Sequence, residues 1–285
     1  MKITKAVITT AGRGQRGLPA QSLVDRDGVE KKALEIILDE VVDAGAEAVC
    51  LVTAPGDEPV YRAAAGAHAP LLTFVTQPEP LGYGHAVLLA RQFTAGQPFL
   101  HLVSDHLYVA RGATRSARQV ADLARAEGCA VSAVQPTRES VLRFYGTVGG
   151  RRVAQRPDLY EIQHVLEKPT PSEAEQVLSV PGVRAGFYLC FFGIHVFTPL
   201  VMDILAEQAA LGRGGRPLDL SSTLAELARR ERYLALEVAG QRHNIGLKYG
   251  LLTAQLALAL DGVDREKILA QIVDLLAQRN SAHSE

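Results

Sequence analysis

The sequence predicts an α/β protein with a mostly parallel sheet and a helical C-terminal tail. Five apolar runs, at residues 6–9, 48–53, 72–76, 99–104 and 130–135, have the length and composition of buried strands. Helical patterns lie between them, and this alternation is typical of βαβ units with a parallel sheet. A glycine-rich loop follows the first run, where such sheets commonly bind their ligands.

The first half of the chain alternates regularly. The run from Ala6 to Ile8 predicts a buried strand that breaks into the glycine-rich loop. The next helix is indicated by apolar residues on one helical face, with Gly45 as its stop signal. These residues are Leu34, Ile37, Leu38, Val41 and Val42. Two further helices are predicted at 86–92 and 116–127.

The second half is less regular. The pair Gly149-Gly150, between residues 145–148 and 151–153, predicts a hairpin with a glycine turn. Thr170, with Pro171 and Glu173 after it, has the pattern of a capping box and predicts a helix start. The apolar run at 187–197 predicts one or two strands.

The tail at 248–278 predicts helix with an apolar stripe that begins after Asp264. The stripe consists of Ile268, Ile272, Leu275 and Leu276. It indicates either core packing or a subunit contact, and we favour the core. We therefore expect one domain at 1–247, followed by a helical segment at 248–285 that packs on it or lies at a subunit contact.

Composition excludes several classes of protein. Apolar residues make up 47% of the 285 residues and charged residues 21%, which predicts a large core rather than disorder. The net charge of −1 disfavours a nucleic-acid binder held by bulk electrostatics. Cys50, Cys129 and Cys190 lie in apolar runs without a CxxC pair, so we expect free thiols. We expect neither a signal peptide nor a membrane span, and hence a cytoplasmic protein.

The loop after the first strand has the residues of a phosphate cradle. Gly12 and Gly14 allow backbone N–H groups to approach an anion closely. Arg16 offers a planar fork of donors for phosphate oxygens. The loop alone is equally compatible with a tight strand-to-helix turn that carries solvated arginines.

A second glycine-rich segment runs from Gln77 to Ala86, between a strand and a helix. The amide of Gln77 can pair with both the N–H and the C=O of a pyrimidine edge. Gly82 and Gly84 allow a flat base to approach the backbone. A proline-stiffened turn is the ordinary alternative.

Three polar segments complete the set of candidates. Asp105 follows an apolar strand, where a carboxylate suits Mg²⁺, although solvated strand-end aspartates are common. The pair Glu167-Lys168 can accept sugar hydroxyls and neutralise a phosphate, or simply form a surface pair. Residues 243–246, which include Asn244, place a polar pair before a glycine and otherwise indicate an ordinary loop.

Taken in order, these segments resemble the bacterial UTP–glucose-1-phosphate uridylyltransferases, within the sugar-phosphate nucleotidyltransferase family. The resemblance covers nearly the whole chain, and its most specific part is the stretch 77–86. The opening loop is similar to the family's GxGxR–L-P pattern. The matching residues are Gly12, Gly14, Arg16, Leu18 and Pro19. Residues 193–199 resemble the family's Gly-aromatic strand before Thr-Pro.

The resemblance implies a Rossmann-like α/β/α sandwich of the nucleotidyltransferase type. It implies a reaction in which UTP and a sugar 1-phosphate give a UDP-sugar and pyrophosphate, with Mg²⁺ as cofactor. The partners are then the two substrates and a second copy of the chain in a homo-oligomer, with no nucleic acid and no membrane. A thymidylyltransferase is also compatible, because thymine shares the pairing edge of uracil.

The same resemblance assigns roles to individual residues. The catalytic residues would be Arg16, Asp105 and Lys168. The nucleotide would be bound by Ala11, Gly12, Gly14, Gln77 and Gly82. The sugar phosphate would be bound by Gly146, Glu167 and Lys168, and the metal by Asp105 and Asn244.

The chain departs from the family pattern at three charged positions. A family Pro-Lys segment whose lysine contacts the phosphates is replaced by residues 21–32, in which Arg26, Lys31 or Lys32 could substitute. The second carboxylate of the strand-end pair is replaced by His106, and a later metal-binding aspartate by Asn244. We therefore keep two hypotheses, an active uridylyltransferase, which we favour, and a weak or inactive paralogue that binds a nucleotide or UDP-sugar.

Overall fold

A computed structural model describes residues 1–12, 16–211 and 217–281. Its strands, in chain order, are β1 (Lys5–Thr9), β2 (Ser22–Val24), β3 (Glu30–Lys32), β4 (Ala48–Thr53), β5 (Leu72–Thr76), β6 (Phe99–Val103), β7 (His106–Ala110), β8 (Ala130–Arg138), β9 (Gly146–Arg152), β10 (Leu159–Glu167), β11 (Phe187–Phe197), β12 (Tyr233–Glu237) and β13 (Gly240–Asn244).

The α-helices of the described residues are α1 (Ala33–Asp43), α2 (Glu58–Ala64), α3 (Tyr83–Leu89), α4 (Arg91–Thr94), α5 (Ser116–Glu127), α6 (Pro171–Val177), α7 (Leu200–Ala210), α8 (Leu220–Arg230), α9 (Gly250–Asp261) and α10 (Arg265–Ser281). Short 3₁₀ helices lie at Leu18–Ala20, Gly66–Leu71 and Glu139–Phe144. The predicted capping box at Thr170 is confirmed at the start of α6.

The main sheet has nine strands in the order β5-β4-β1-β6-β11-β8-β12-β10-β9. The pairs β4–β5, β1–β4, β1–β6 and β8–β12 are parallel. Only β10 and β11 run against the other seven strands of this sheet, so the prediction of a mostly parallel sheet is confirmed by strand direction. Two small antiparallel sheets, β2–β3 and β7–β13, flank it.

Helices cover both faces of the sheet, which gives the α/β/α sandwich. Successive residues of β1 point to opposite faces, as the pleat requires. Ala6 and Ile8 pack into a core with residues of α1 and α5, whereas Val7 packs into a second core with residues of α3, α7 and α8. Burial on both faces explains why this strand reads as a continuous apolar run.

The glycine turn predicted at Gly149-Gly150 is wrong. Both residues lie inside β9, which pairs with β10 along its length. A Cβ at Gly149 would lie 2.6 Å from the carbonyl oxygen of Val177, and one at Gly150 would overlap the carbonyl of Glu161. These glycines therefore permit close packing of neighbouring backbone rather than a reversal of the chain.

The run predicted as one or two strands is the single strand β11. It pairs with β8 on one side, and on the other side with β9 near Leu189 and with β6 from Ile194 to Phe197. Its register with β8 shifts between Phe191 and His195, and Gly193 in between has φ of +91°. The bulge therefore separates the part of β11 that pairs with β9 from the part that pairs with β6.

The C-terminal tail forms two helices of different character. α9 packs on β2, β7 and β13 and buries Ala254 and Leu258. In α10, by contrast, Leu275 and Leu276 are 63% and 60% exposed. The prediction that this stripe packs into the core is therefore wrong for the single chain. No helix in the described ranges is long and apolar enough to cross a membrane.

The three cysteines are free and buried, as expected. Burial raises the pKa of the Cys50 thiol to about 12 and that of Cys129 to about 11. Both thiols are therefore protonated and unreactive at neutral pH.

Two histidines face each other in the middle of the sheet. His101 of β6 and His195 of β11 are paired in register, and their rings stack with centroids 5.9 Å apart. Nδ1 of His101 lies 2.9 Å from the carbonyl oxygen of Val7, so it carries the proton and donates. Burial lowers the pKa of His101 to about 4, and burial together with His101 lowers that of His195 well below its usual value. Both rings are therefore neutral.

These two histidines predict a loss of stability in mild acid. Their folded-state pKa values lie below the unfolded value near 6.5, so protonation favours the unfolded chain. Stability is complete above pH 6.5 and falls towards pH 4 by about 1.4 kcal/mol per pH unit for each histidine. Urea unfolding at several pH values measures this slope. We expect His101→Asn to reduce it and His164→Asn, which removes an exposed histidine, to leave it unchanged. Equal slopes in all three proteins would contradict the assignment.

Candidate active site

A cavity of about 370 Å³ opens where the parallel strands end. Ala11 and Gly12 follow β1, Gln77 follows β5, and Asp105 follows β6, and all four residues line the cavity. These three strands point the same way, so their carboxyl ends meet at one edge of the sheet. The position agrees with the general rule for ligand sites in α/β sheets.

Most of the predicted site residues meet in this cavity. Those that line it are Ala11, Gly12, Gln77, Gly82, Asp105, Gly146, Glu167 and Lys168. Arg16 and Asn244 are not among its lining residues. Gly14 lies outside the described residues.

The Gln77 side chain is buried and its amide is held from two sides. Nε2 donates to the carbonyl oxygen of Gly82 at 3.1 Å and lies 2.9 Å from Nδ1 of His85. Both amide hydrogens are therefore used inside the protein. The expectation that Gln77 offers a donor and an acceptor to a base is wrong in this structure, because only Oε1 is left for the cavity.

The segment at residues 217–219 supports the loop after Gln77. The backbone N–H of Gly84 donates to the carbonyl of Leu218, and the N–H of Leu218 donates to the carbonyl of Leu81, each at 2.8 Å. Gly82 has φ of +113°, and a Cβ there would overlap the backbone of Leu218. A glycine is thus required at this position for both conformation and space.

Arg16 is engaged away from the cavity. Its Nε lies 3.0 Å from both carboxylate oxygens of Asp57, and its guanidinium also reaches the carbonyl of Pro55. Hydrogen bonding to Asp57, with its charge, raises the pKa of Arg16. The edge of the guanidinium formed by Nε and Nη2 is therefore directed to Asp57 and Pro55.

The basic residues of segment 21–32 also have other partners. Arg26 pairs with Asp261 of α9 at 3.1 Å, and Nζ of Lys32 donates to Ser22. Lys31 contacts three carboxylates, those of Asp25, Asp27 and Asp39. Burial alone would lower the pKa of Lys31, but these carboxylates raise it above its usual value.

This segment forms the hairpin β2–β3, which docks on α9. Val24 exchanges two hydrogen bonds with the side chain of Gln255, at 2.9 and 3.0 Å. The hairpin therefore faces the C-terminal helix, and its three basic side chains point to partners outside the cavity.

Asp105 and Asn244 are brought close by the backbone. Strand β13 pairs with β7 so that Asn244 lies opposite His106, and the N–H of Ile245 donates to the carbonyl of Asp105 at 2.8 Å. Oδ1 of Asp105 lies 2.9 Å from Nδ1 of His106. Oδ1 of Asn244 accepts from the N–H of Gly246 at 2.8 Å.

These oxygens fit Mg²⁺ only as part of its ligand set. Among the described residues no group of three or more His, Cys, Asp or Glu side chains could hold a metal ion. The candidate ligands are the carboxylate of Asp105 and the amide oxygen of Asn244. Mg²⁺ is commonly held by one or two carboxylates together with substrate phosphates and water, so this donor set is sufficient only when a phosphate is present.

Glu167 and Lys168 form the other charged group of the cavity. Ser221 donates its hydroxyl to Oε2 of Glu167 at 2.6 Å, and Nζ of Lys168 lies 3.5 Å from Oε1. Gly146 packs against both Ser221 and Glu167, so a Cβ there would crowd them. Lys168 has φ of +49°, which is uncommon for a residue with a side chain and is typical of functional sites.

Sequence reasoning missed several residues that line the cavity. Tyr83 reaches down to His101, with its hydroxyl 2.6 Å from Nε2. Since Nδ1 of His101 carries the proton, Nε2 accepts and Tyr83 donates. Ser221 and His195 also line the cavity. The aromatic residue between Gly82 and Gly84 was a signal for Tyr83, whereas Ser221 belongs to a helix without any recognisable motif.

Comparisons with known proteins identify the family and the fold. The family model described as nucleotidyl transferase matches residues 5–254. UTP–glucose-1-phosphate uridylyltransferase YngB of Bacillus subtilis is 27% identical over 303 residues, which cover 96% of each chain. A UDP-glucose pyrophosphorylase solved with UDP-glucose has a TM-score of 0.71 at 22% identity, covering 90% of this chain and 98% of that one. A UTP-bound enzyme of the same name from Acinetobacter baumannii has a TM-score of 0.71 at 23% identity, covering 95% and 99%.

The contact between Gly82 and Leu218 predicts a large cost for any side chain at position 82. We expect Gly82→Ala to lose about 2–4 kcal/mol of unfolding free energy, because strain at positive φ adds to overpacking. Gly112→Ala is the matched control, since Gly112 has φ of +94° but open space around it, and should lose only about 1 kcal/mol. Urea unfolding measures both values. A similar loss in the two variants would show that the Leu218 contact has no effect.

Proposed function

This chain belongs to the nucleotidyl transferase family, and we propose that it makes UDP-glucose or a related UDP-sugar and pyrophosphate from UTP and a sugar 1-phosphate. One observation carries the proposal. A single cavity is lined by Gln77 and Gly82, in the segment after β5, and by Glu167 and Lys168, at the end of β10. Asp105 also lines it and follows β6, which lies between β5 and β10 in the sheet. Such a cavity can hold a base and a sugar phosphate on either side of a metal-binding carboxylate.

The proposed reaction needs positioning and charge neutralisation rather than a protein nucleophile. An oxygen of the sugar phosphate attacks the α-phosphorus of UTP in line, and pyrophosphate leaves. Holding both anions in reach converts an encounter between two molecules into a step within one complex. The protein must also offset the negative charge that concentrates between them.

The described residues divide these tasks. Gln77 and Gly82 contact the base, and the backbone at Ala11 and Gly12 approaches the phosphates. Ser221 holds one oxygen of Glu167, which leaves the other to accept hydroxyl groups of the sugar. Lys168 neutralises the sugar phosphate. Mg²⁺, when bound by Asp105 and the amide oxygen of Asn244, supplies further positive charge beside the phosphates.

We further propose that residues 1–247 form the catalytic unit and that 248–285 form a helical segment attached to it. The exposed leucines of α10 are compatible with the homo-oligomer predicted from the sequence. The division at residue 247, the homo-oligomer and the cytoplasmic location stay predictions.

A second candidate function has its own support. Arg16 is paired with Asp57, and Arg26, Lys31 and Lys32 all have partners elsewhere. A cavity with so little free positive charge suits a protein that binds a nucleotide or UDP-sugar without turning it over. A thymidylyltransferase remains the third candidate, because Oε1 of Gln77 does not distinguish thymine from uracil.

One assay separates the first two candidates. Purified protein is incubated with UTP, glucose 1-phosphate and Mg²⁺, and pyrophosphate release is measured beside a panel of other nucleotides and sugar phosphates. Calorimetry measures UDP-glucose binding in parallel. Turnover with UTP supports the uridylyltransferase, and binding without turnover of any pair supports the inactive paralogue.

The role of Asp105 predicts a severe defect on removal of its charge. Asp105→Asn keeps the size of the side chain and an oxygen that can accept from His106. We expect activity to fall by at least about 100-fold, because the negative charge that would hold Mg²⁺ beside the phosphates is lost. Asp203→Asn is the control, since Asp203 pairs with Arg91 on the surface. Undiminished activity of Asp105→Asn would refute the metal-binding role.

For Asn244 we predict that substitution by aspartate raises activity rather than lowering it. Asn244→Asp keeps the oxygen that accepts from Gly246 and adds a negative charge for the metal. We expect the Mg²⁺ concentration for half-maximal activity to fall and kcat/KM to rise by up to about tenfold. Titration of Mg²⁺ in the pyrophosphate assay measures both effects. An unchanged Mg²⁺ requirement would place Asn244 outside the metal site.

A further inference from the structure

We propose that His85 is a positioning residue that fixes the amide of Gln77 and so makes the cavity select bases with an N–H donor on the ring. Uracil presents such a donor at N3, whereas cytosine presents a lone pair there. The inference rests on the proposed function and deepens it, because it names a residue that decides between UTP and CTP. His85 itself is not among the residues that line the cavity.

The hydrogen bonds of Gln77 determine which end of its amide faces the cavity. The carbonyl oxygen of Gly82 can only accept, so the atom 3.1 Å away must be the nitrogen of the amide. The second hydrogen of that nitrogen points to Nδ1 of His85 at 2.9 Å. His85 accepts there only when Nδ1 is unprotonated, with the ring proton on Nε2.

The amide oxygen is the part that a ligand meets. Both hydrogen bonds that the Gln77 side chain makes with the described residues use Nε2 rather than Oε1. Gln77 is only 6% exposed and lines the cavity. The backbone of Gln77 is fixed as well, because its N–H donates to the carbonyl of Thr53 at 2.8 Å. The cavity wall therefore presents one acceptor at a fixed position.

An acceptor of this kind discriminates between pyrimidines. The N3–H of uracil donates to it, whereas N3 of cytosine would place one lone pair against another. A flipped amide would suit cytosine, but it would turn Oε1 towards the carbonyl of Gly82 and the bare Nδ1 of His85. Gly82 and His85 thus both oppose the flip, and removal of His85 leaves only one of them.

Two substitutions at position 85 separate this role from a structural one. His85→Leu removes the acceptor and keeps an apolar body of similar size. His85→Asn keeps an acceptor, since its Oδ1 can take the place of Nδ1. Position 85 does not contact the reacting groups. We therefore expect both substitutions to change KM for UTP rather than kcat.

The experiment uses the full chain with Mg²⁺. Competition binding and kcat/KM are measured for UTP and CTP in the wild type and both variants, and thermal unfolding confirms that each variant is folded. We expect the UTP-to-CTP ratio to fall about fivefold to tenfold in His85→Leu, the effect of one lost hydrogen bond, and to be restored in His85→Asn.

The outcomes distinguish this inference from the proposed function. An unchanged ratio in His85→Leu, or an equal fall in both variants, overturns the role of His85 while the uridylyltransferase stands. Selective UTP binding that depends on His85, without turnover, supports the inference and overturns the enzyme. A wild type that binds neither nucleotide overturns both.

Discussion

The parallel pairing of β1 with β4 on one side and β6 on the other is the constraint on which the site depends. Parallel strands must end at the same edge, so the loops that follow them converge whatever their sequences. Backbone hydrogen bonds continue past the strand ends, from Thr10 to Val52 and from Gln77 to Thr53, each at 2.8 Å. The loops are therefore held side by side before any ligand arrives, and the cavity is largely preformed.

The distribution of charge is the second determinant of function. Among the cations identified from the sequence, Lys168 lines the cavity, whereas Arg16, Arg26 and Lys31 lie in ion pairs elsewhere. Phosphoryl transfer depends mainly on electrostatic stabilisation. Such ion pairs contribute little to folding stability, but they withhold positive charge from the reaction and so have a larger effect on activity. The geometry supports binding of a nucleotide more strongly than it supports rapid turnover.

Much of the fold could be predicted from the sequence. The strands at 48–53 and 72–76 match β4 and β5, and the resemblance to nucleotidyltransferases is confirmed by the family match over 5–254. Those features depend on local pattern or on segments in fixed order. The Gly149-Gly150 error arose because a glycine pair does not reveal whether it turns the chain or admits a neighbouring backbone. Only the assembled sheet distinguishes the two.

Other parts of the site depend on contacts between distant segments. The sequence indicated Gln77, but not that Gly82 and His85 would use both of its amide hydrogens. It indicated Arg16, but not its pairing with Asp57, 41 residues further along. The stripe in α10 fits core packing and subunit contact equally, because periodicity shows which face is apolar and not what covers it.

The short span around Leu218 has a mechanical consequence. Its backbone holds the loop of Leu81 and Gly84, and three residues later Ser221 holds Glu167. The parts of the wall assigned to base and to sugar are thus joined by a single stretch of chain. A displacement of this stretch would therefore move both parts of the wall together.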